Sequence, residues 1–110
     1  MILDQDGNIS LITQEKTTIV ELVKKIQESY SKIKNDNIIV NLSSLNKLSS
    51  HDILEFSEVS NTHKKSNHSF VIVTDKVDSD ETPDEIIVVP TLQEAYDIIE
   101  MEEIERDLGF

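Results

Sequence analysis

Three short apolar runs constrain the fold more than any other feature of this sequence. They predict strands at Ile38–Leu42, Ser69–Thr74 and Ile86–Val89, and each is rich in isoleucine and valine. A strand with apolar residues in succession has no polar face to turn towards solvent. We therefore expect these strands inside a sheet that is covered on both faces and has parallel neighbours.

Helical patterns alternate with these strands. Between Thr18 and Ile33 apolar residues recur every three or four positions, which predicts an amphipathic helix. A second helix is predicted from about Ser50 to Lys64, and a third opens at Pro90-Thr91. The first and third begin with a capping-box pattern, Thr18 with Glu21 and Thr91 with Glu94.

The remaining elements complete an α/β chain. Residues 1–13 predict a hairpin with Asp6-Gly7 as its two-residue turn. Asp75–Glu85 is predicted to be a solvated acidic loop, since it lacks the glycine and the ligand spacing of an EF-hand calcium site. The order is β-β-α-β-α-β-loop-β-α, which predicts a single domain over residues 1–110 with a mixed sheet of about five strands and three main helices.

Charge is concentrated in the last third of the chain. Residues 75–110 hold thirteen acids and two bases, a net of −11, whereas residues 1–74 have a net of −1. This balance argues against nucleic-acid binding through phosphate contacts. The acidic last helix predicts either a solubilising surface or a docking surface for a protein partner with a basic surface. The docking residues would be Glu102, Glu103, Glu105 and Phe110.

Composition excludes several chemistries. The chain has no cysteine, so disulfides and thiolate chemistry are impossible, and Gly7 and Gly109 are too few to build a phosphate-cradling loop. His51, His63 and His68 match no standard metal site and are expected on the solvated surface. We therefore expect no metal, no cofactor and no enzyme activity.

The apolar runs and the N-terminal residues bear on the cellular compartment of the protein. No apolar run approaches the ~20 residues that a membrane span requires. The N-terminal residues lack the basic region and apolar run of a signal peptide. We expect a cytoplasmic protein without a membrane partner.

The segment Ser43–Asp52 places small hydroxyl groups where the first buried strand ends. Ser43-Ser44 follows that strand, and Ser49-Ser50 stands at the start of the second helix. In open α/β sheets this edge usually meets ligands and partners. Two roles stay open for the second pair: helix capping, or a regulatory or binding site made of Ser49, Ser50 and His51.

The element order and this segment resemble the STAS domain, the fold of the bacterial anti-sigma-factor antagonists. That family has a strand reading roughly hydrophobic-Asp-Leu-Ser, then Asp-Ser-Ser-Gly-Leu opening the second helix. The matching residues here run from Val40 to Ile53, and Val89-Pro90-Thr91-Leu92-Gln93-Glu94-Ala95 resembles the family's last strand and helix. The resemblance covers nearly the whole chain and implies a regulatory protein-interaction domain.

The match departs from the family at its regulatory position. Aligned without gaps, the family's Asp falls on Ser49 and its first serine on Ser50. The serine that a partner kinase phosphorylates falls on His51, and the glycine falls on Asp52. The resemblance therefore implies the scaffold of the switch without its usual phosphoserine, unless Ser50 has taken over that role.

The ending from Asp97 to Phe110 is similar to that of short bacterial proteins often labelled ribonuclease Z. Ribonuclease Z is a two-zinc hydrolase that needs a His-rich metal motif, and this chain has only three histidines and no His-x-His-x-Asp-His. The leading expectation is a non-catalytic regulatory interaction domain. The alternatives are a small-molecule or anion-binding module at the Ser43–Asp52 edge, and a protein associated with, or labelled as, ribonuclease Z but lacking its metal motif.

Overall fold

A mixed five-stranded sheet forms the centre of the protein. The computed structural model describes residues 1–14 and 18–109. The strands lie in the order β1-β2-β3-β4-β5, with β1 antiparallel to β2 and all other neighbours parallel. The predicted α/β architecture with a mixed sheet is confirmed. The strands are β1 (Ile2–Asp6), β2 (Ile9–Thr13), β3 (Asn37–Asn41), β4 (Phe70–Val73) and β5 (Ile87–Val89).

Four helices connect and cover these strands. They are α1 (Ile19–Ile33), α2 (Ser50–Leu54), α3 (Ser57–Lys65) and α4 (Leu92–Asp107). The single helix predicted over residues 50–64 is therefore divided in two. Glu55 and Phe56 form a turn at the break, where Phe56 is fully buried with its ring centroid 6.4 Å from that of Phe70.

Apolar residues on the central strands contribute side chains to two separate cores. On β3, Ile38 and Val40 lie in the core beneath α1, α2 and α3, whereas Ile39 lies in the core beneath α4. On β4, Phe70 and Ile72 alternate in the same way with Val71 and Val73. The period of two along a strand sends successive side chains to opposite faces, so the prediction of a sheet covered on both faces is confirmed.

The hairpin turn differs by one residue from the predicted one. Asp6 pairs with Ile9, so the two-residue loop is Gly7-Asn8 rather than Asp6-Gly7. Gly7 has φ +59°, a left-handed conformation that glycine adopts without the strain a side chain would bring. Gly7 therefore occupies the first of the two turn positions rather than the predicted second.

The acidic segment Asp75–Glu85 is only partly a solvated loop. Val77 and Thr82 are buried, and Val77 belongs to the core beneath α1, α2 and α3. Ser79–Glu81 forms a short 3-10 helix. The predicted acidic loop is therefore largely exposed, as expected, but it is anchored by Val77 within the run of acids.

Candidate functional site

The segment Ser43–Asp52 leaves the sheet at the carboxyl ends of β3 and β4, as predicted. The N–H of Leu42 donates to the carbonyl of Val73 at 2.8 Å, which holds the exit point against β4. Leu45 and Leu48 are half-buried and pack against the core. The polar residues between these anchors are exposed, so the segment presents amide, ammonium and hydroxyl groups to solvent: Ser43, Ser44, Asn46 and Lys47.

Asn41 shapes the beginning of this segment. Its Oδ1 accepts hydrogen bonds from the Ser43 N–H at 3.1 Å and from the Ser43 hydroxyl at 2.7 Å. An asparagine side chain that bonds the backbone two residues later is a common turn device. The Ser43 hydroxyl is therefore used locally.

Ser49 is the N-cap of helix α2. Its hydroxyl accepts from the Asp52 N–H at 3.3 Å, and Oδ2 of Asp52 accepts from the Ser49 N–H at 3.0 Å. These reciprocal bonds form a capping box. The expected capping role is confirmed for Ser49, whose hydroxyl and amide are both engaged.

Ser50 and His51 are the accessible residues of the candidate site. Ser50 is half-exposed at the first position of α2, and His51 is exposed. Within the described ranges the Ser50 hydroxyl makes no hydrogen bond, in contrast to Ser49 beside it. A regulatory role for Ser50 or His51 stays a prediction.

The predicted docking residues of α4 have different surroundings. Glu105 is exposed, whereas Glu102 and Glu103 are half-buried. Oε1 of Glu103 accepts hydrogen bonds from Nδ2 of Asn8 at 2.9 Å and from Nδ2 of Asn37 at 2.8 Å. Glu103 therefore ties the helix to the hairpin turn and to the start of β3. Phe110 lies outside the described residues.

Arg106 adds to the same junction. Its guanidinium donates to the Ser69 hydroxyl and to Oδ1 of Asn37, both at 3.3 Å. Oδ1 of Asn37 also accepts from the Ser69 N–H at 2.8 Å. The end of α4 is thus fastened at the amino ends of β3 and β4. The two predicted surfaces therefore do not form one site. Ser43–Asp52 lies at the carboxyl ends of the central strands, and the acidic end of α4 lies at their amino ends.

The environment of His63 differs from the one predicted from the sequence. It is fully buried, and its ring stacks on that of half-buried His68 with the centroids 5.3 Å apart. The prediction of solvated surface is therefore wrong for His63. The sequence does carry a signal for this burial. His63 follows Phe56 by seven residues and Val59 by four, a spacing that places it on the buried side of the helical segment.

The surroundings of His63 favour its neutral form. Burial lowers the pKa of the imidazole below its usual 6.5, and the neighbouring His68 adds to the lowering. The hydrogen bond to the Asp36 carbonyl opposes this shift. Both ring nitrogens of His63 have hydrogen-bonding partners, which is the arrangement of a structural histidine.

Neither a cluster of metal-binding side chains nor a membrane-spanning helix is present in the described ranges. Residues 1–14 and 18–109 contain no group of three or more histidine, aspartate or glutamate side chains that could hold a metal ion. In that same part of the chain, every helix is too short or too polar to cross a bilayer.

Comparison with known proteins establishes the fold. No protein-family model matches the chain, and no curated protein matches it. The solved structure of a serine-to-glutamate variant of RsbS from Moorella thermoacetica matches with a TM-score of 0.68 at 11% identity, over 96% of this chain and 97% of that chain. A structure described as the molecular architecture of the stressosome, a signal integration and transduction hub, matches with a TM-score of 0.62 at 11% identity, over 90% and 96% of the two chains. The predicted STAS-like fold is confirmed.

Proposed function

From this STAS-like fold, we propose that the chain is a non-catalytic regulatory domain that binds a protein partner. The fold is shared with RsbS and with a protein of the stressosome, which is described as a signal integration and transduction hub. The partner-facing surface would be the segment Ser43–Asp52. The observation that carries this proposal is the contrast at the start of α2, where Ser49 is used for capping while the neighbouring Ser50 hydroxyl stays available.

We further propose that binding does not depend on the family's usual phosphoserine. His51 occupies the position at which that serine is expected, and it cannot be phosphorylated as a serine. A phosphate on Ser50 would lie two residues from the Asp52 carboxylate, which repels it. Helix α2 has five residues, so its dipole offers little compensation. The domain would then bind its partner without this modification.

The test is affinity purification from the native host with quantitative mass spectrometry of partners and of Ser50. The Ser50→Glu variant places a charge on the proposed surface. Ser31→Glu is the matched control, because Ser31 is an exposed serine on α1, away from the segment. We expect partners retained by the native chain and by Ser31→Glu to be lost from Ser50→Glu, with equal thermal unfolding of all three.

Two outcomes would count against the proposal. Equal recovery of every partner by the native chain and by Ser50→Glu would reject the segment as the binding surface. Stoichiometric phosphate on Ser50 in the native protein would reject binding without phosphoserine.

The two alternatives have less support. Four cavities among the described residues are lined by other parts of the fold, so none of these four supports a small-molecule or anion site at Ser43–Asp52. The association with ribonuclease Z rests on the similarity of the last fourteen residues alone. A ribonuclease Z activity of the chain itself would need clustered zinc ligands, and the described residues hold no group of three or more that could bind a metal ion.

A further inference from the structure

The two faces of the sheet are covered unequally. Helices α1, α2 and α3 pack on one face, whereas α4 alone packs on the other. Helix α4 contacts β3, β4 and β5. On this face β2 borders the core beneath α4 through Ile9 and Leu11, and β1 follows β2 at the edge of the sheet.

The hairpin is about as wide as one helix. Neighbouring strands lie about 4.8 Å apart, so β1 and β2 together form a strip roughly 10 Å wide. A helix with its side chains is about 10–12 Å across. Strands of five residues span roughly 17 Å, which is the length of a helix of about eleven residues.

The strip is apolar next to α4. Ile9 and Leu11 on β2 are half-buried and border the core beneath α4. A groove of about 330 Å³ runs between β2 and α4, and Ile104 on its helical side is 52% exposed. The residues that line the groove are Ile9, Tyr96, Ile99, Glu100, Glu103, Ile104 and Asp107.

Acidic side chains stand on both sides of this apolar floor. Asp4 and Asp6 lie directly opposite Leu11 and Ile9 in the hairpin, so they share this face of the sheet, and both are exposed. On the helical side, exposed Glu100 and Asp107 line the groove. With Glu103 used by the two asparagines, four carboxylates remain to face an incoming partner.

We propose that this α4–β2 groove binds a basic amphipathic helix of a protein partner. The proposal rests on the partner-binding function proposed above and adds a second contact surface of stated chemistry. The apolar stripe of the helix would lie on Ile9, Leu11 and Ile104, and its lysine or arginine residues would meet the carboxylates on either side.

Other occupants fit less well. A second copy would bring another strongly acidic surface against these carboxylates, because residues 75–110 carry a net charge of −11. An added strand has no free main chain to pair with on β2, since β1 and β3 occupy both of its edges. A helix needs only side-chain contacts, which the groove provides.

The test uses the purified full chain and a synthetic twelve-residue helical peptide with a leucine stripe flanked by lysines. A peptide of the same composition, with the leucines scattered around the helix, is the matched control. Amide chemical shifts are followed during titration. We expect saturable shifts centred on β2 and on Tyr96–Asp107 with the amphipathic peptide, and binding at least about tenfold weaker with the scattered one.

Substitutions at two residues of similar exposure locate the contact. Ile104→Lys changes the groove, whereas Met101→Lys changes a 54% exposed residue of α4 that does not line it. We expect Ile104→Lys to weaken peptide binding about tenfold and Met101→Lys to leave it within about twofold. Equal effects of the two variants, equal binding of the two peptides, or shifts centred on Ser43–Asp52 would each overturn the proposal.

Two further measurements separate the possible failures. Sedimentation of the chain alone reports self-association, and a dimer that Ile104→Lys dissociates would overturn the proposal in favour of a second copy. If the peptide fails to bind while Ser50→Glu still loses its partners, the groove proposal is wrong and the regulatory surface stands. If the peptide binds and the Ser50 variant keeps every partner, the surface at Ser43–Asp52 is wrong and the groove stands.

Discussion

The hydroxyl of Tyr30 on α1 lies 2.8 Å from Nδ1 of His63 on α3, and this hydrogen bond joins the two helices beneath the sheet. Nε2 of the same ring lies 2.6 Å from the carbonyl oxygen of Asp36. A carbonyl can only accept, so Nε2 carries the ring proton and the Tyr30 hydroxyl donates to Nδ1. The neutral imidazole is thus satisfied on both sides, and it links α1, α3 and the residue before β3.

We expect Tyr30→Phe to destabilise the protein by about 1–3 kcal/mol, because Nδ1 of His63 would be left buried without its donor. Urea unfolding followed by circular dichroism measures the change. Tyr96→Phe on α4 is the control, since Tyr96 is half-buried and its hydroxyl does not take part in this link. For this variant we expect a change in the free energy of unfolding within about 0.5 kcal/mol. Equal destabilisation by the two variants would show that the link contributes nothing.

We expect stability to fall as the pH is lowered below about 6.5. The pKa of His63 is lower in the folded protein than its usual 6.5, so the unfolded chain binds the proton first. The contribution of His63 is fully present above that pH and is lost between the usual pKa and the lowered one. The slope from this group is at most about 1.4 kcal/mol per pH unit.

A variant isolates this contribution from that of the many carboxylates. His63→Gln removes the titrating ring, and the difference in unfolding free energy between the native chain and this variant is measured from pH 7.5 to 5.0. We expect the difference to shrink as the pH falls. The same dependence in His51→Gln, which changes an exposed histidine, would assign the effect elsewhere.

We expect Ser49→Ala to destabilise the protein by about 1 kcal/mol and Ser50→Ala by less than about 0.5 kcal/mol. Ser49 supplies the acceptor that caps α2, whereas Ser50 supplies none. Denaturant unfolding of the two variants compares adjacent serines, of which only Ser49 makes the capping hydrogen bond. A larger loss in Ser50→Ala would contradict the assignment of the cap.

We expect Glu103→Ala to destabilise the protein by roughly 1–3 kcal/mol, because the Asn8 and Asn37 amides lose their shared acceptor. Glu105→Ala should be neutral or stabilising by up to about 1 kcal/mol, since it removes an exposed negative charge from the C-terminal end of α4. Thermal unfolding of both variants measures these changes in stability. A stabilising Glu103→Ala would mean that the junction is not a source of stability.

Most of the architecture could be predicted because its signals are local. The helical period of α1, the threonine caps of α1 and α4 and the apolar runs of β3 and β4 each depend on residues near one another in the chain. The break at Glu55-Phe56 could not be predicted, because the Phe56 ring is buried in a core built from residues distant in the chain, such as Phe70.

The sequence by itself determined the element order, the covered sheet and the presence of hydroxyl groups at the carboxyl edge. Only the tertiary structure decided how individual polar residues are used. It buried His63 between Tyr30 and Asp36, and it used Glu103 of the acidic helix to accept hydrogen bonds from two asparagines. The physical reason is that hydrogen-bond partners 33 or 66 residues apart meet only after the sheet has formed, whereas helical and strand periods act over a few residues.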